Sequence, residues 1–388
     1  MKSIIRLRNG RDKSLKNRHP WVFSGGIERI EGNPEPGDIV EVHSAVGQRL
    51  GAGFYNSTSQ MTVRMIADAP VGALSQQFWF DRLDACFARR AGVRQDTTAY
   101  RVVHGESDGF PGLVIDVFAS VVVVQLSVLG VEPLRDVIEA WIRDRLNPSV
   151  IIERSDSSSL KAEGMRPRQA LWFGEPGGPI EIQEFGRRFW VDPIQGQKTG
   201  FFIDQRDNRQ RIPSICGRSV LNLFSYSGGF TIPAAQQGAT TVSVDSSESA
   251  LELVASNLTL NGIDPTGHHT VAADVFDYVR HNDAQYDLVI VDPPALVKRR
   301  TDVDKAARAY KDVNRLAFKR TTPGGYVLTC SCSQFVDWVL FRQILFAAGV
   351  ESGRDIQIVG QFTQPVDHPV SLYFPEGEYL KTFLLRVY

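Results

Sequence analysis

Two cysteines one residue apart, Cys330 and Cys332, stand at the end of the apolar run Tyr326–Thr329. In an extended segment such a pair shares one face, because the side-chain period is two. A thiolate there could do covalent chemistry on a pyrimidine. C5 of cytosine is a poor nucleophile until a thiolate adds to C6 and makes the ring enamine-like; C5 can then accept a methyl group. A buried cysteine is more often an inert small hydrophobe. That reading suits Cys330, whereas Cys332, past the end of the run, is placed to react.

Earlier in the chain, Asp292-Pro293-Pro294 closes another apolar run, Leu288–Val291. Two prolines stiffen the loop and remove donors, which holds Asp292 or its carbonyl at a fixed geometry against a planar ring. An amino group of a nucleobase, or N3 beside it, is a natural partner. A base engaged in this way must first leave its stack.

A third constellation is Val220–Asp245. An apolar run enters a turn of small residues (Ser225, Ser227, Gly228, Gly229), a helix-compatible segment reaches Gly238, and a second run, Thr240–Val244, ends on Asp245. Strand, glycine turn, helix, strand and acid form a nucleotide-type βαβ unit, with the acid suited to ribose hydroxyls. The spacing G-x-G-x-x-G is absent, as is a P-loop, so a hydride-transfer cofactor is disfavoured. A nucleoside with an amino-acid tail fits: ribose on Asp245, adenine amine near Asp274, tail over Phe224–Gly229. S-adenosylmethionine is such a ligand. Its expected contacts are Phe224, Ser225, Tyr226, Ser227, Gly228, Asp245, Ser246, Asp274, Val275 and Asp292.

These residues share one position, the ends of predicted strands. The runs Val220–Phe224, Thr241–Val244, His269–Ala273, Asp287–Val291 and Tyr326–Thr329 alternate with helical patterns, clearest in Ser247–Asn261, Val303–Arg320 and Val336–Ala348. Alternation of this kind predicts a parallel, doubly wound sheet, whose ligands sit outside the carboxyl ends of its strands. Gln357–Phe362 and Tyr379–Tyr388 lack a helix between them and predict an antiparallel hairpin at the sheet edge.

The segment 1–72 is β-rich, with a hairpin over Asp38–His43 and Gln48–Tyr55. Its start is basic (Lys2, Arg6, Arg8, Arg11, Lys13, Lys16, Arg18) and is followed by Trp21 and Phe23, a mixture that suits RNA. A solvated charged face is the plainer reading of that arm alone. Residues 73–191 predict an α+β block, with helices over Gln76–Gly92 and Val131–Leu146 and a closing hairpin, Ile180–Glu184 with Arg187–Val191; Glu106 and Asp108 read as turn acids. The methyltransferase-like segment is 192–388.

At 388 residues the chain is long for one core, and its net charge of −1 excludes a uniformly basic surface while allowing local patches. Four cysteines do not make a disulfide framework. With no signal-peptide core at the N-terminus and no run long enough to span a bilayer, a cytoplasmic protein without a membrane partner is expected. No metal site is expected.

Taken together, GQKTGFFIDQRDNR (Gly196–Arg209), LNLFSYSGGF (Leu221–Phe230), VDSSESAL (Val244–Leu251), DPPAL (Asp292–Leu296), SCS (Ser331–Ser333) and the tail Gly353–Lys381 resemble one family over essentially the full chain. That family is the RlmI-type bacterial 23S ribosomal RNA (cytosine-C5) methyltransferases. The resemblance implies an N-terminal PUA barrel that binds RNA, a small central α+β domain and a C-terminal Rossmann-like domain. It further implies S-adenosylmethionine as cofactor and 23S ribosomal RNA as partner. It places the nucleophile at Cys332, beside which the residues themselves suggest Asp292 as the assisting group, and it sets Gln197-Lys198-Thr199 and Asp204-Gln205-Arg206 beside cofactor or substrate. Lys198, Arg206, Pro293 and Pro294 are the candidate RNA contacts.

Better-known RNA cytosine-C5 enzymes carry a second cysteine directly after the prolines, where this chain has Ala295, so the proton acceptor is left unassigned. Two other readings stay open: the same fold methylating an exocyclic amine or purine nitrogen, and a non-catalytic RNA-binding or ribosome-assembly factor. The sequence leaves the oligomeric state open, a homodimer included.

Overall fold

The computed structural model describes residues 3–156, 160–194, 196, 200–297 and 299–388. The chain forms two compact units, Met1–Ile180 with Asp192–Phe201 and Val366–Gly377, and Glu181–Val191 with Phe202–Pro365 and Glu378–Tyr388.

In the first unit, strands β1 (Ile4–Leu7), β2 (Trp21–Val22), β3 (Ile27–Glu31), β4 (Ile39–His43), β5 (Arg49–Tyr55) and β6 (Val63–Ala67) form one sheet in the order β2-β6-β5-β4-β1-β3. A single-turn helix, α1 (Lys13–Lys16), lies between the first two. The expected hairpin is β4 with β5, antiparallel from Ile39↔Phe54. A second sheet contains β7 (Ala99–His104), β8 (Leu113–Phe118), β9 (Val121–Leu126), β10 (Val150–Ser155) and β11 (Arg168–Phe173) in the order β11-β10-β9-β8-β7. Helices α2 (Gln76–Arg89) and α3 (Arg135–Leu146) contribute Trp79, Leu83, Ile138, Trp141 and Ile142 to a core shared with that sheet.

The first turn expected of α3 is 3-10 geometry over Leu129–Leu134 instead. Pro133 lies inside it and has no N–H to give an α-helical ladder. Glu106 and Asp108 do lie on a turn, Gly105–Asp108, but neither is merely a surface acid. Asp108, 1% exposed, pairs with the equally buried Arg90 and accepts the His104 backbone N–H at 2.8 Å. Glu106 accepts from Arg64 at 2.6 Å and from the Trp21 indole at 2.9 Å.

The second unit opens with the hairpin β12 (Ile180–Glu184) and β13 (Arg187–Val191), then α4 (Arg206–Arg211). Its sheet is built from β14 (Ser219–Leu223), β15 (Thr240–Asp245), β16 (His268–Ala272), β17 (Tyr286–Val291), β18 (Thr321–Ser331), β19 (Ile356–Phe362) and β20 (Lys381–Val387). The order is β16-β15-β14-β17-β18-β20-β19. The first five are parallel neighbours, and β20 pairs antiparallel with both β18 and β19, the edge hairpin expected.

Helices α5 (Thr231–Ala235), α6 (Glu248–Leu260), α7 (Val275–His281), α8 (Val303–Lys319) and α9 (Trp338–Ser352) complete the unit. Alternate residues of one strand enter different cores. Leu221, Leu223, Val289, Val291 and Val327 join one with α8 and α9, while Val220, Leu288, Ile290 and Leu328 join another with Phe230 and Ala234. Burial on both faces is why these strands read as continuous apolar runs.

The helix expected to reach Gly238 is only Thr231–Ala235, with Pro233 at its centre unable to donate. Strand β18 begins at Thr321 rather than Tyr326, because Pro323-Gly324-Gly325, a turn signal in isolation, is absorbed into the strand beside a register shift against β17. Among the described residues, no helix is long and apolar enough to cross a membrane.

Candidate active site

The carboxyl ends of β14, β15, β17 and β18 carry the candidate site residues. After Leu223 the backbone turns sharply: Phe224, Tyr226 and Gly228 have φ of 59°, 46° and 80°. Two non-glycine residues in this left-handed region cost on the order of 1–3 kcal/mol each, and such strain persists where the surroundings over-determine it. Asp245, at the end of β15, is the constraint. One carboxylate oxygen accepts the Tyr226 N–H at 2.9 Å and the other accepts the Ser247 N–H at 2.9 Å. Each oxygen keeps a lone pair, so Asp245 is held in place and can still accept from a ribose hydroxyl.

Gly228 is favoured here by conformation and by space. Its φ is left-handed, and a Cβ would meet Val254 Cγ1 at 3.1 Å. The flanking hydroxyls of Ser225 and Ser227 are buried and, among the described residues, have no hydrogen-bond partner. A turn with orphaned buried hydroxyls beside an oriented carboxylate fits the amino-acid and ribose parts of S-adenosylmethionine. Asp274 is exposed and caps α7 by accepting the Asp277 N–H at 3.0 Å; Val275 is buried in the core, and Ser246 is exposed beside Asp245.

Across the sheet, the chain leaves β18 at Ser331, and Cys332 follows, partly exposed. Its Sγ lies 3.8 Å from the Pro293 carbonyl oxygen, so the predicted nucleophile and the proline loop are brought together. Asp292 accepts from the Gln205 side-chain amide at 2.9 Å. Asn208 continues this polar chain, donating to Gln205 Oε1 at 2.6 Å and to Thr382 Oγ1 at 3.0 Å. Thr382 Oγ1 is 3.3 Å from Cys330 Sγ. Burial, reinforced by the Asp292 charge, pushes the Cys330 thiol well above its ordinary range. Cys330 is a buried neutral thiol.

Several site groups carried no sequence signal. Tyr310 of α8 sits between the serines flanking Cys332: its hydroxyl accepts from Ser331 at 3.1 Å and lies 3.0 Å from Ser333 Oγ. Lys381, 2% exposed at the start of β20, donates to the carbonyl oxygens of Ser333 at 2.8 Å and Tyr379 at 2.7 Å. Burial lowers its pKa to about 8. A lysine opening a strand looks like any other in sequence; only the register Ser331↔Lys381, with β20 set between β18 and β19, reveals its place.

Of the candidate RNA contacts, Pro294 is exposed and Pro293 buried. Arg206 is 2% exposed, with Asp207 3.5 Å from its Nε. Gln197, Lys198 and Thr199, like Lys2 of the basic arm, lie outside the described residues. Arg8, Arg11, Lys13, Lys16 and Arg18 are exposed, as is Phe23, while Trp21 is packed beneath Arg64. Among the described residues, no group of three or more His, Cys, Asp or Glu side chains could hold a metal ion.

A doubly wound sheet whose strand ends present an anchored acid and a strained small-residue turn defines a nucleoside-binding methyltransferase class. A family described as S-adenosylmethionine-dependent methyltransferase matches residues 101–369, and a PUA-like domain matches residues 5–68. S-adenosylmethionine is the cofactor of that class. Ribosomal RNA large subunit methyltransferase I of Aeromonas salmonicida is 40% identical over 394 residues, covering 100% of both chains. The protein of the same name from Shewanella denitrificans is 39% identical over 99% of both. The chain belongs to the ribosomal RNA large subunit methyltransferase I family. Among solved structures, a candidate S-adenosylmethionine-dependent methyltransferase from Streptococcus mutans superposes with a TM-score of 0.84 at 24% identity, over 100% of both chains. Another candidate methyltransferase, complexed with S-adenosylhomocysteine, gives 0.85 at 24% identity over 100% of both chains. These two likenesses concern the fold.

Proposed function

We propose that this protein forms 5-methylcytosine in large-subunit (23S) ribosomal RNA, through a covalent bond between Cys332 and C6 of the target cytosine. The observation that carries the reading is the placement of Cys332 Sγ 3.8 Å from the Pro293 carbonyl oxygen, beside Asp292. The name shared by its relatives supports ribosomal RNA as the substrate.

In the reaction, the Cys332 thiolate adds to C6, and the C5=C6 electron pair becomes available at C5. S-adenosylmethionine, when bound, supplies an electrophilic methyl whose C–S electrons return to sulfur. The C5 proton then passes to water, its electron pair re-forms C5=C6, and the Cys332 thiolate leaves. Asp292, oriented by Gln205, accepts from the cytosine amine. Asp245 and the turn Phe224–Gly228 hold the donor. Residues 1–72, with exposed Arg8, Arg11, Lys13 and Phe23, grip the RNA backbone and bases. Residues 73–191 link them to the catalytic segment 192–388, and the setting is the cytoplasm.

The test is RNA containing 5-fluorocytosine at the target position, in which the C5 substituent cannot leave as a proton. The wild-type protein is expected to form a denaturation-stable adduct at Cys332, located by peptide mass mapping. No adduct, with full methylation by Cys332→Ala, would transfer the chemistry to an exocyclic amine or purine nitrogen. Failure to bind S-adenosylmethionine in calorimetry would point to a non-catalytic RNA-binding factor.

A further inference from the structure

The surroundings of Cys332 pose an electrostatic problem. A neutral thiol is content beside the Pro293 carbonyl oxygen 3.8 Å away, because S–H is a weak donor. Once ionised, the sulfur faces the negative end of that dipole, with the Asp292 carboxylate next in the chain. Tyr310, also close enough to feel Cys332, is a neutral phenol raised to about 12, chiefly by burial. These three described neighbours do not favour the thiolate on which the proposed function depends.

Lys381 does. Its Cα stands opposite Ser331 in the antiparallel register of β18 and β20. Its ammonium is fixed by bonds to Ser333 O and Tyr379 O, the first belonging to the residue that follows Cys332. An ammonium has three donors, so two carbonyl bonds anchor the group without exhausting it. Among the described residues, the other charged groups acting on Lys381 are Glu378 and Asp337, and both also bond elsewhere. Glu378 accepts the Trp338 indole N–H at 2.9 Å, and Asp337 caps α9 by accepting the Leu340 N–H at 2.8 Å. Cys332 is the group among them whose charge raises the lysine's affinity for its proton most. Coulombic coupling is mutual, so the ammonium favours the thiolate by the same interaction.

We propose that Lys381 is the positioning residue for the Cys332 thiolate: an ammonium tethered to the Ser333 and Tyr379 carbonyls that serves as its counter-ion. The inference rests on the covalent reading given above. On ionisation the Cys332 proton passes to water, the charge stays on sulfur, and Lys381 keeps all its protons. When sulfur adds to C6 the negative charge moves into the ring, and it returns to the ammonium's field when the thiolate is expelled. Lys381 itself makes and breaks no bond.

The experiment is the pH dependence of Cys332 alkylation by iodoacetamide, read by peptide mass mapping in the full-length wild type, Lys381→Met and Lys381→Arg. In the wild type the apparent thiol pKa is expected below the ordinary value of about 8.5. Lys381→Met should raise it by about one unit, slowing alkylation at neutral pH about tenfold, whereas Lys381→Arg, which keeps the charge, should stay near wild type. A merely structural lysine would not move this profile. A wild-type value at or above the ordinary one overturns the pairing even if Lys381→Met fails to fold, and so does an unshifted profile in a folded Lys381→Met. The 5-fluorocytosine adduct separates the two claims. An adduct with an unshifted profile removes the counter-ion and leaves the covalent mechanism. A shifted profile without an adduct keeps the ion pair and removes the mechanism.

Discussion

Cys332 Sγ lies 3.8 Å from the carbonyl oxygen of Pro293, a residue 39 positions earlier, because parallel neighbours β17 and β18 end side by side. This contact places a thiol against the loop proposed to hold the target base. Cys332→Ala is expected to lower methyl transfer to RNA by on the order of a thousandfold or more, as removal of a covalent nucleophile does. Binding of S-adenosylmethionine should stay within about twofold, since the donor turn lies across β14 and β15. Tritiated-methyl incorporation and calorimetry on the same preparation check both halves; an active alanine variant would discard the nucleophile.

Asp245 anchors the turn after β14 through the Tyr226 N–H and also accepts the Ser247 N–H, and under the proposed function it offers its remaining lone pairs to ribose. Hydrogen bonds to a charged acceptor contribute about 1.5–3 kcal/mol each. Asp245→Ala should therefore weaken S-adenosylmethionine binding roughly tenfold to a hundredfold. Asp245→Asn, which keeps an acceptor, should do less. Equal affinity of Asp245→Ala and wild type in calorimetry would show that the acid is not at the donor site.

The Arg90–Asp108 pair is 1% exposed on both sides. Removing one partner leaves a buried charge uncompensated, which costs about 3–5 kcal/mol. Asp108→Ala should lower the urea midpoint accordingly, while the paired replacement Arg90→Met with Asp108→Leu should recover much of the loss. A loss below about 1 kcal/mol would mean that the site is wetter than its burial indicates.

Lys381 gives stability a pH signature. Its pKa in the folded protein, lowered by burial to about 8, lies below the ordinary 10.5. Between these values the unfolded chain holds a proton that the folded one has shed, so this group makes stability rise with pH through that window. Below about 8 both states are protonated, and the cost of burying the ammonium is constant. Lys381→Met has neither the cost nor the slope. Its stability advantage over wild type should thus shrink between about pH 7 and about pH 9.5 in urea titrations. A difference independent of pH would mean that the lysine titrates normally.

Much of this was legible in the chain. Periods of two and of 3.6, with breaks at Gly238 and at Pro293-Pro294, mark the strands and helices because each element must present its apolar residues to a core. The rule that ligands gather at the carboxyl ends of parallel strands then picks out Ser225–Gly229, Asp245, Asp292 and Cys332. Reading failed where backbone chemistry and tertiary context disagree. Pro323-Gly324-Gly325 signals a turn but lies within β18, and Asp108 looks like a turn acid yet closes a buried ion pair.

The sequence by itself determined the alternation of strands and helices, the order in which acids and cysteines meet the sheet edge, and the contrast between Cys330 inside a strand and Cys332 beyond it. Only the tertiary structure decided which thiol is buried with Thr382, that Arg206 is buried, and that Lys381 is anchored to the carbonyl of Ser333, the residue after Cys332. The reason is physical. Periodicity records which face of its own element a residue takes. Burial, hydrogen bonding and charge coupling depend on residues brought alongside from elsewhere in the chain, and Ser331 and Lys381 become neighbours only when β20 pairs with β18.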